Sequence, residues 1–218
     1  MSVIVGFALS ASANAQLSDV MRLMEGNNKT LSSVKADVTM TKCDSALGEC
    51  DEMKGKTQYL PESVAKKLYV RIDWSTPAVE YVAIQGDKYE LWRPKLNQVV
   101  QGTVQKAKSS SSAGNALGFM NMNREQLRKN YEVVYIGLKK LSDGTEAAHL
   151  QLTPKTAVSY KLAELWVDGN GMPRQGKIIE RNNDTTTVLL TNIKKNEMIK
   201  ASAFKLPYDN NKVKKIPG

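Results

Sequence analysis

Few residues of this chain have the type and spacing to do chemistry. The single histidine, His149, sits in Glu146–Leu152, a stretch that alternates like a strand. No Ser or Cys nucleophile stands in a recognisable partner set beside it. Cys43 and Cys50 lie close together in CDSALGEC, with Asp and Glu as the other nearby ligand types. Two thiolates and carboxylates make a poor zinc set. The pair is flanked by strand-like stretches, Val34–Lys42 and Lys54–Leu60, so a disulfide across a hairpin loop is the reading. Asp168-Gly169-Asn170-Gly171 begins like a calcium loop but lacks the later ligands and the terminal Glu. A type I′ hairpin turn accounts for it better. There is no phosphate loop, no GxGxxG and no convincing pair of carboxylates. The expectation is a protein that is not an enzyme and holds no metal or cofactor.

Composition narrows the rest. The 218 residues suffice for one large domain with a real core, and the aromatic share is only 6%. No apolar run approaches the roughly 18 residues that span a bilayer. The net charge is +9, with lysines spread along the chain. That is a solvated surface, able to favour anionic membranes or acidic partners. Nucleic acid is not expected as a partner, because the cations are not interleaved with exposed aromatics and no binding motif is present.

Residues 1–15, MSVIVGFALSASANA, resemble the end of an export signal. Val3–Leu9 is its apolar core, and Ala13-Asn14-Ala15 fits the small-x-small cleavage rule, leaving Gln16 first. The basic opening of such a signal is missing, so it is read as truncated at its start. An exported chain can oxidise Cys43 and Cys50.

These residues must be positioned by a sheet. In Leu68–Trp74, Leu68, Val70, Ile72 and Trp74 fall on one side and Tyr69, Arg71 and Asp73 on the other. Such alternation marks a sheet with one apolar face and one wet face. Further strands are expected at Val79–Gln85, Lys88–Arg93, Gln98–Gln105, Glu132–Leu138, Glu146–Leu152, Lys161–Val167, Gln175–Arg181 and Thr185–Asn192. A last strand is expected at Ala203–Pro207. Short links imply antiparallel neighbours. Leu17, Val20, Met21, Met24 and Leu31 mark an amphipathic N-terminal helix, with Ser18 as its cap and Gly26-Asn27-Asn28 as its stop. Lys108–Gly114 (KSSSSAG) reads as a flexible hinge into a short helical insert carrying Leu117, Met120 and Leu127.

The order of these motifs resembles the LolA family of periplasmic carriers for outer-membrane lipoproteins and the wider LolA- and LolB-like lipoprotein-binding superfamily. The likeness rests on QLSDVMRLMEGNNKTLSSVKADVTM, on Leu68–Trp74 with Pro77 after it, on VAIQGDKYELWRPKLNQVV and on HLQLTPK. LAELWVDGNGMPRQGKI and TTTVLLTNIKKNEMIKASAFKLP complete it, and together they cover residues 17–212. The resemblance implies an α+β, mostly β fold: an unclosed antiparallel β-barrel of ten or eleven strands with helices over its concave face, formed by residues 16–218. It implies a periplasmic carrier in a Gram-negative-type envelope, acting as a monomer. Such a carrier shields lipoprotein acyl chains between an inner-membrane lipoprotein-releasing transporter and an outer-membrane acceptor. The same fold also serves envelope-stress sensors and carriers of other lipids.

On this reading the lipid-lining residues are Leu68, Val70, Ile72 and Trp74, then Leu91, Val133, Tyr135, Leu150, Leu152, Leu165 and Val167, with Leu117 and Met120 from the lid. Trp92 falls opposite Leu91, so the two cannot both line one face of a regular strand. Well-known carriers of the family latch the lid with an arginine on an early strand. Gly55–Lys67 offers none; Arg71 is nearest, and alternation turns it away from Trp74.

Overall fold

A computed structural model describes residues 8–104 and 123–218, with side chains from residue 14 onward. Lys108–Gly114 and the expected lid residues Leu117 and Met120 lie outside the described residues.

The protein is mostly β. Its strands are β1 (Val34–Asp44), β2 (Glu49–Leu60), β3 (Tyr69–Thr76), β4 (Glu80–Gln85), β5 (Lys88–Arg93), β6 (Gln98–Thr103), β7 (Tyr131–Lys140), β8 (Glu146–Pro154), β9 (Tyr160–Asp168), β10 (Pro173–Glu180), β11 (Thr185–Lys195) and β12 (Lys214–Pro217). The helices are α1 (Ala8–Thr30), α2 (Glu62–Ala65) and α3 (Arg124–Asn130). The strands form a twelve-stranded sheet in the order β12-β6-β5-β4-β3-β2-β1-β11-β10-β9-β8-β7. The order is linear, so among the described residues the sheet does not close, and β12 and β7 are its edges. Paired neighbours run antiparallel, β3–β4 and β4–β5 through tight hairpins and β1 with the sequence-distant β11, except that β12 joins β6 in parallel.

The chain divides into two compact units. One comprises the described parts of residues 1–30 and 116–183. Here β7–β10 carry a packed core: Leu150, Leu152, Ala163 and Leu165 are each 0% exposed. Helices α1 and α3 pack on each other and on β7. They contribute Met21, Met24 and Leu127, all buried. Asn123 and Gln126 form a reciprocal capping box that fixes the start of α3. The turn after β9 seats α1. Gly171 has φ +76°, and a Cβ there would fall 2.1 Å from the Leu23 carbonyl oxygen. Only glycine fits both the backbone and the gap.

The other unit comprises the described parts of residues 31–115 and 184–218, with β1–β6, β11 and β12. Strand β1 alternates strictly: Val34, Ala36, Val38 and Met40 are buried and the residues between them are not. Cys43 and Cys50 are direct cross-strand partners joined by a disulfide. The loop beyond them is ordered by Asp44, whose carboxylate accepts from the amides of Ala46 and Leu47.

Three sequence expectations are corrected. Helix α1 runs through both Ser18 and Gly26-Asn27-Asn28. Asn27 is buried, with its amide against Met172 Sδ, so tertiary packing overrides its tendency to stop a helix. The Asp168–Gly171 turn is not type I′, because among its residues only Gly171 has positive φ. It is a three-residue loop closed by a left-handed glycine, with Asp168 Oδ1 accepting from the amides of Asn170 and Met172. Ala203–Pro207 is not a strand: Ala201–Phe204 is a 3-10 turn, and the last strand is β12.

Replacing Cys43 and Cys50 by Ser should lower stability by about 2 kcal/mol through the freed short loop, read as a lower denaturation midpoint with an unchanged far-ultraviolet spectrum.

Candidate functional site

The apolar face predicted from Leu68–Trp74 is present, and its register can be followed from strand to strand. Ala36 on β1 pairs with Thr57 on β2, and Thr57 with Ile72 on β3. Ile72 pairs with Val82 on β4, Val82 with Leu91 on β5, and Leu91 with Val100 on β6. These residues form one row on one face. Six strands at about 4.8 Å per step span about 24 Å. A parallel row contains Tyr59, Val70, Ile84, Tyr89 and Gly102. Gly102 leaves space for the Tyr89 ring, whose edge lies 2.6 Å from where a Cβ would be. Gly55 stands opposite Trp74, and a Cβ there would fall 2.3 Å from the Asp73 carbonyl oxygen.

Burial changes along the first row. Ala36, Thr57 and Ile72 are 6%, 8% and 4% exposed. The Thr57 hydroxyl is satisfied by donating to the Arg71 carbonyl. Val82, Leu91 and Val100 are only half-buried, as are Val70 and Ile84 beside them. The face is therefore sealed core at β1–β2 and partly open at β4–β6.

The opposite face of β3–β6 is covered by the C-terminal segment. Phe204 is fully buried and its ring meets that of Tyr69. The Arg71 guanidinium donates to Asp73 at 2.7 Å and to the carbonyls of Ala203 and Lys205 at 2.8 and 3.1 Å. Arg71 thus clamps the C-terminal turn from the face away from Trp74, and it is this clamp that displaces the expected strand at Ala203–Pro207. Trp92 belongs to the same covered face, stacked on Tyr81 and near Tyr208. That resolves the conflict with Leu91, which points to the apolar side. The Tyr208 hydroxyl donates to Glu90, and burial with that carboxylate beside it pushes the phenol up to about 12.

The other expected lining residues lie in the first unit. Val133 pairs with Leu152, Tyr135 with Leu150, and Leu150 with Leu165, so they share a face, as does Val167. Leu150, Leu152, Leu165 and Val167 are at most 1% exposed, and they form the core of this unit. Val133 and Tyr135 are half-buried.

His149 lies on the reverse side of that sheet. Its ring stacks on Trp166 with centroids 4.4 Å apart and planes 5° from parallel. Both ring nitrogens are buried without a hydrogen-bond partner among the described residues. The Glu164 carboxylate lies 3.4 Å from Nε2. Burial holds the imidazole below its ordinary pKa, with Lys139 and Lys177 acting the same way and Glu164 opposing. No group of three or more His, Cys, Asp and Glu among the described residues could hold a metal ion.

Residues 29–207 match the family described as outer membrane lipoprotein carrier protein LolA. The chain belongs to the LolA family. Solved structures repeat the fold of this LolA-family chain at low sequence identity. An uncharacterized conserved protein from Thermus thermophilus is 12% identical, with a TM-score of 0.58 over 93% of this chain and 99% of that one. The MucB structure from the Pseudomonas aeruginosa MucA/MucB complex is 14% identical, with a TM-score of 0.53 over 88% of this chain but 61% of that one. Lipoprotein LppX of Mycobacterium tuberculosis is 14% identical, with a TM-score of 0.50 over 85% and 98%. No curated protein matches the sequence.

Two outcomes are expected. Phe204→Ala should cost about 3–5 kcal/mol in chemical denaturation, because it empties a filled site against Tyr69. His149 has a folded pKa below its unfolded value, so its contribution is complete above about pH 6.5 and is lost as the unfolded form takes up its proton at lower pH. Denaturation at pH 7.5 and pH 5 should therefore show a smaller acid loss in His149→Gln than in the parent chain.

Proposed function

We propose that this LolA-family chain is a periplasmic carrier that shields the acyl chains of lipoproteins while they pass from the inner to the outer membrane. The supporting observation is the row Ala36–Thr57–Ile72–Val82–Leu91–Val100, which goes from sealed to half-open along one apolar face. An open apolar row is costly in water unless something covers it. A chain of about 15 methylenes released into water costs roughly 12 kcal/mol at about 0.8 kcal/mol each. Hydrocarbon and half-open face are thus complementary. Family membership supports lipoproteins as the cargo class, and the proposal takes a releasing transporter and an outer-membrane acceptor as the partners. The disulfide suits an exported protein, as does reading residues 1–15 as a removable signal. Binding and release need no bond chemistry, which suits a site made of Val, Ile and Leu.

The likeness to MucB, solved in a complex with MucA, supports a second reading in which the same fold binds a regulatory protein. A pull-down from envelopes that returns a membrane-bound regulator in place of lipoproteins would favour it.

Titration with a fluorescent acyl probe, competed by a purified lipopeptide, separates the readings. Saturable uptake is expected. Leu91→Glu should weaken it at least about tenfold without unfolding, since it sets a charge on a half-open apolar row. No uptake by the parent chain, or equal uptake by Leu91→Glu, would remove the carrier reading.

A further inference from the structure

Among the described residues strand β7 pairs only with β8, which makes it an edge of the sheet there. Free edges are normally charged, short or covered. This one exposes Val134, Ile136 and Leu138, at 42%, 47% and 60%. The register slips between Tyr135 and Gly137, leaving Ile136 as an extra residue and Gly137 at φ +145°. Val134 pairs with Gln151, whereas Leu138, beyond the slip, pairs with Ala148. Gln151 and Ala148 lie an odd number of residues apart on β8, so they point to opposite faces. The apolar side chains therefore wrap the edge as a rim instead of lining one face.

Cations flank this rim. Lys139 and Lys140 follow Leu138 directly, and Arg128, Lys129 and Lys155 stand at the other end of β7, all exposed. Lys155 Nζ donates to the Arg128 carbonyl, which ties that end together. None of these cations is ion-paired with a carboxylate in the salt bridges found among the described residues. The nearby acids are Glu125 on α3, Glu132 on β7, Asp143 in the β7–β8 turn, which is paired with Arg174, and Glu146 on β8.

A peptide adding as a further strand would need an unbroken ladder of backbone donors and acceptors. The slip at Ile136 interrupts that ladder. A phospholipid surface makes no such demand: its phosphates pair with lysines, and its interfacial zone accepts isolated aliphatic side chains. We propose that the β7 rim docks the protein edge-on to an anionic phospholipid surface, with Val134, Ile136 and Leu138 entering the interface and Lys139, Lys140, Arg128, Lys129 and Lys155 meeting phosphates. This does not depend on whether the Val82–Val100 row takes acyl chains.

The test is sedimentation of the full chain with vesicles of phosphatidylglycerol and phosphatidylcholine in equal parts, against vesicles of phosphatidylcholine alone. Binding to the anionic vesicles and its weakening by salt are expected. A double Lys139→Glu, Lys140→Glu variant should weaken it about tenfold or more, and so should Ile136→Asn with Leu138→Asn. Both changes are at exposed positions, and thermal melts confirm folding. Should the asparagine pair fail to fold, the charge-reversal pair still decides. Acyl-probe uptake should be unchanged in the charge-reversal pair, which keeps this result separate from the carrier reading. No binding, equal binding to both vesicles, or undiminished binding by the charge-reversal pair would overturn the proposal. So would a concentration-dependent dimer in light scattering that Ile136→Asn abolishes, since the rim would then pair with a second copy.

Discussion

The period-two backbone imposes the constraint on which this protein is built. Successive side chains of a strand must point to opposite faces, so a sequence that alternates apolar and polar residues yields a sheet with one greasy side. Cross-strand pairing carries that division from Ala36 on β1 to Val100 on β6 without a break. Water penalises the resulting surface in proportion to its area, so covering it becomes the main demand on the rest of the chain.

The chain meets that demand unevenly. In the unit with β7–β10, the apolar face holds Leu150, Leu152 and Leu165 at 0% exposure, and α1 and α3 supply buried side chains to the same unit. In the unit with β1–β6, both sides of β3 are protected: Ile72 and Trp74 are buried on the apolar side, and the C-terminal segment covers the polar side. On that polar side the Arg71 guanidinium clamps the C-terminal segment, whose Phe204 packs on Tyr69 and whose Tyr208 donates to Glu90. That segment ends by adding β12 to β6, which satisfies an otherwise free edge. The covered face is thus held by specific contacts, while Val82, Leu91 and Val100 on the other face stay half-buried.

Much of this was legible from residue order because alternation is a strong local signal. The face shared by Val70, Ile72, Trp74 and Leu91 followed from it, as did the Cys43–Cys50 hairpin and the placement of Arg71 away from Trp74. Cover was not legible. Leu150 and Leu91 have the same pattern in sequence, yet one is sealed and the other half-open, because alternation fixes a face and says nothing of what packs on it. Ala203–Pro207 was misread for a related reason. Its conformation is held by Arg71, more than a hundred residues away, and its apolar spacing fits a 3-10 turn as well as a strand. The end of α1 escaped because Gly26-Asn27-Asn28 carries stop signals that the Asn27–Met172 contact overrides. The rim on β7 had one legible trace: Val133-Val134-Tyr135-Ile136 is apolar on consecutive positions, where a half-wet strand should alternate.

The most direct measurement of the central claim is methyl-resolved nuclear magnetic resonance of the protein titrated with a lipopeptide. Saturable shifts at Val70, Val82, Ile84, Leu91 and Val100, with Val134 and Leu138 unmoved, are the result the account requires. Shifts confined to other residues, or none at saturating lipopeptide, would contradict it.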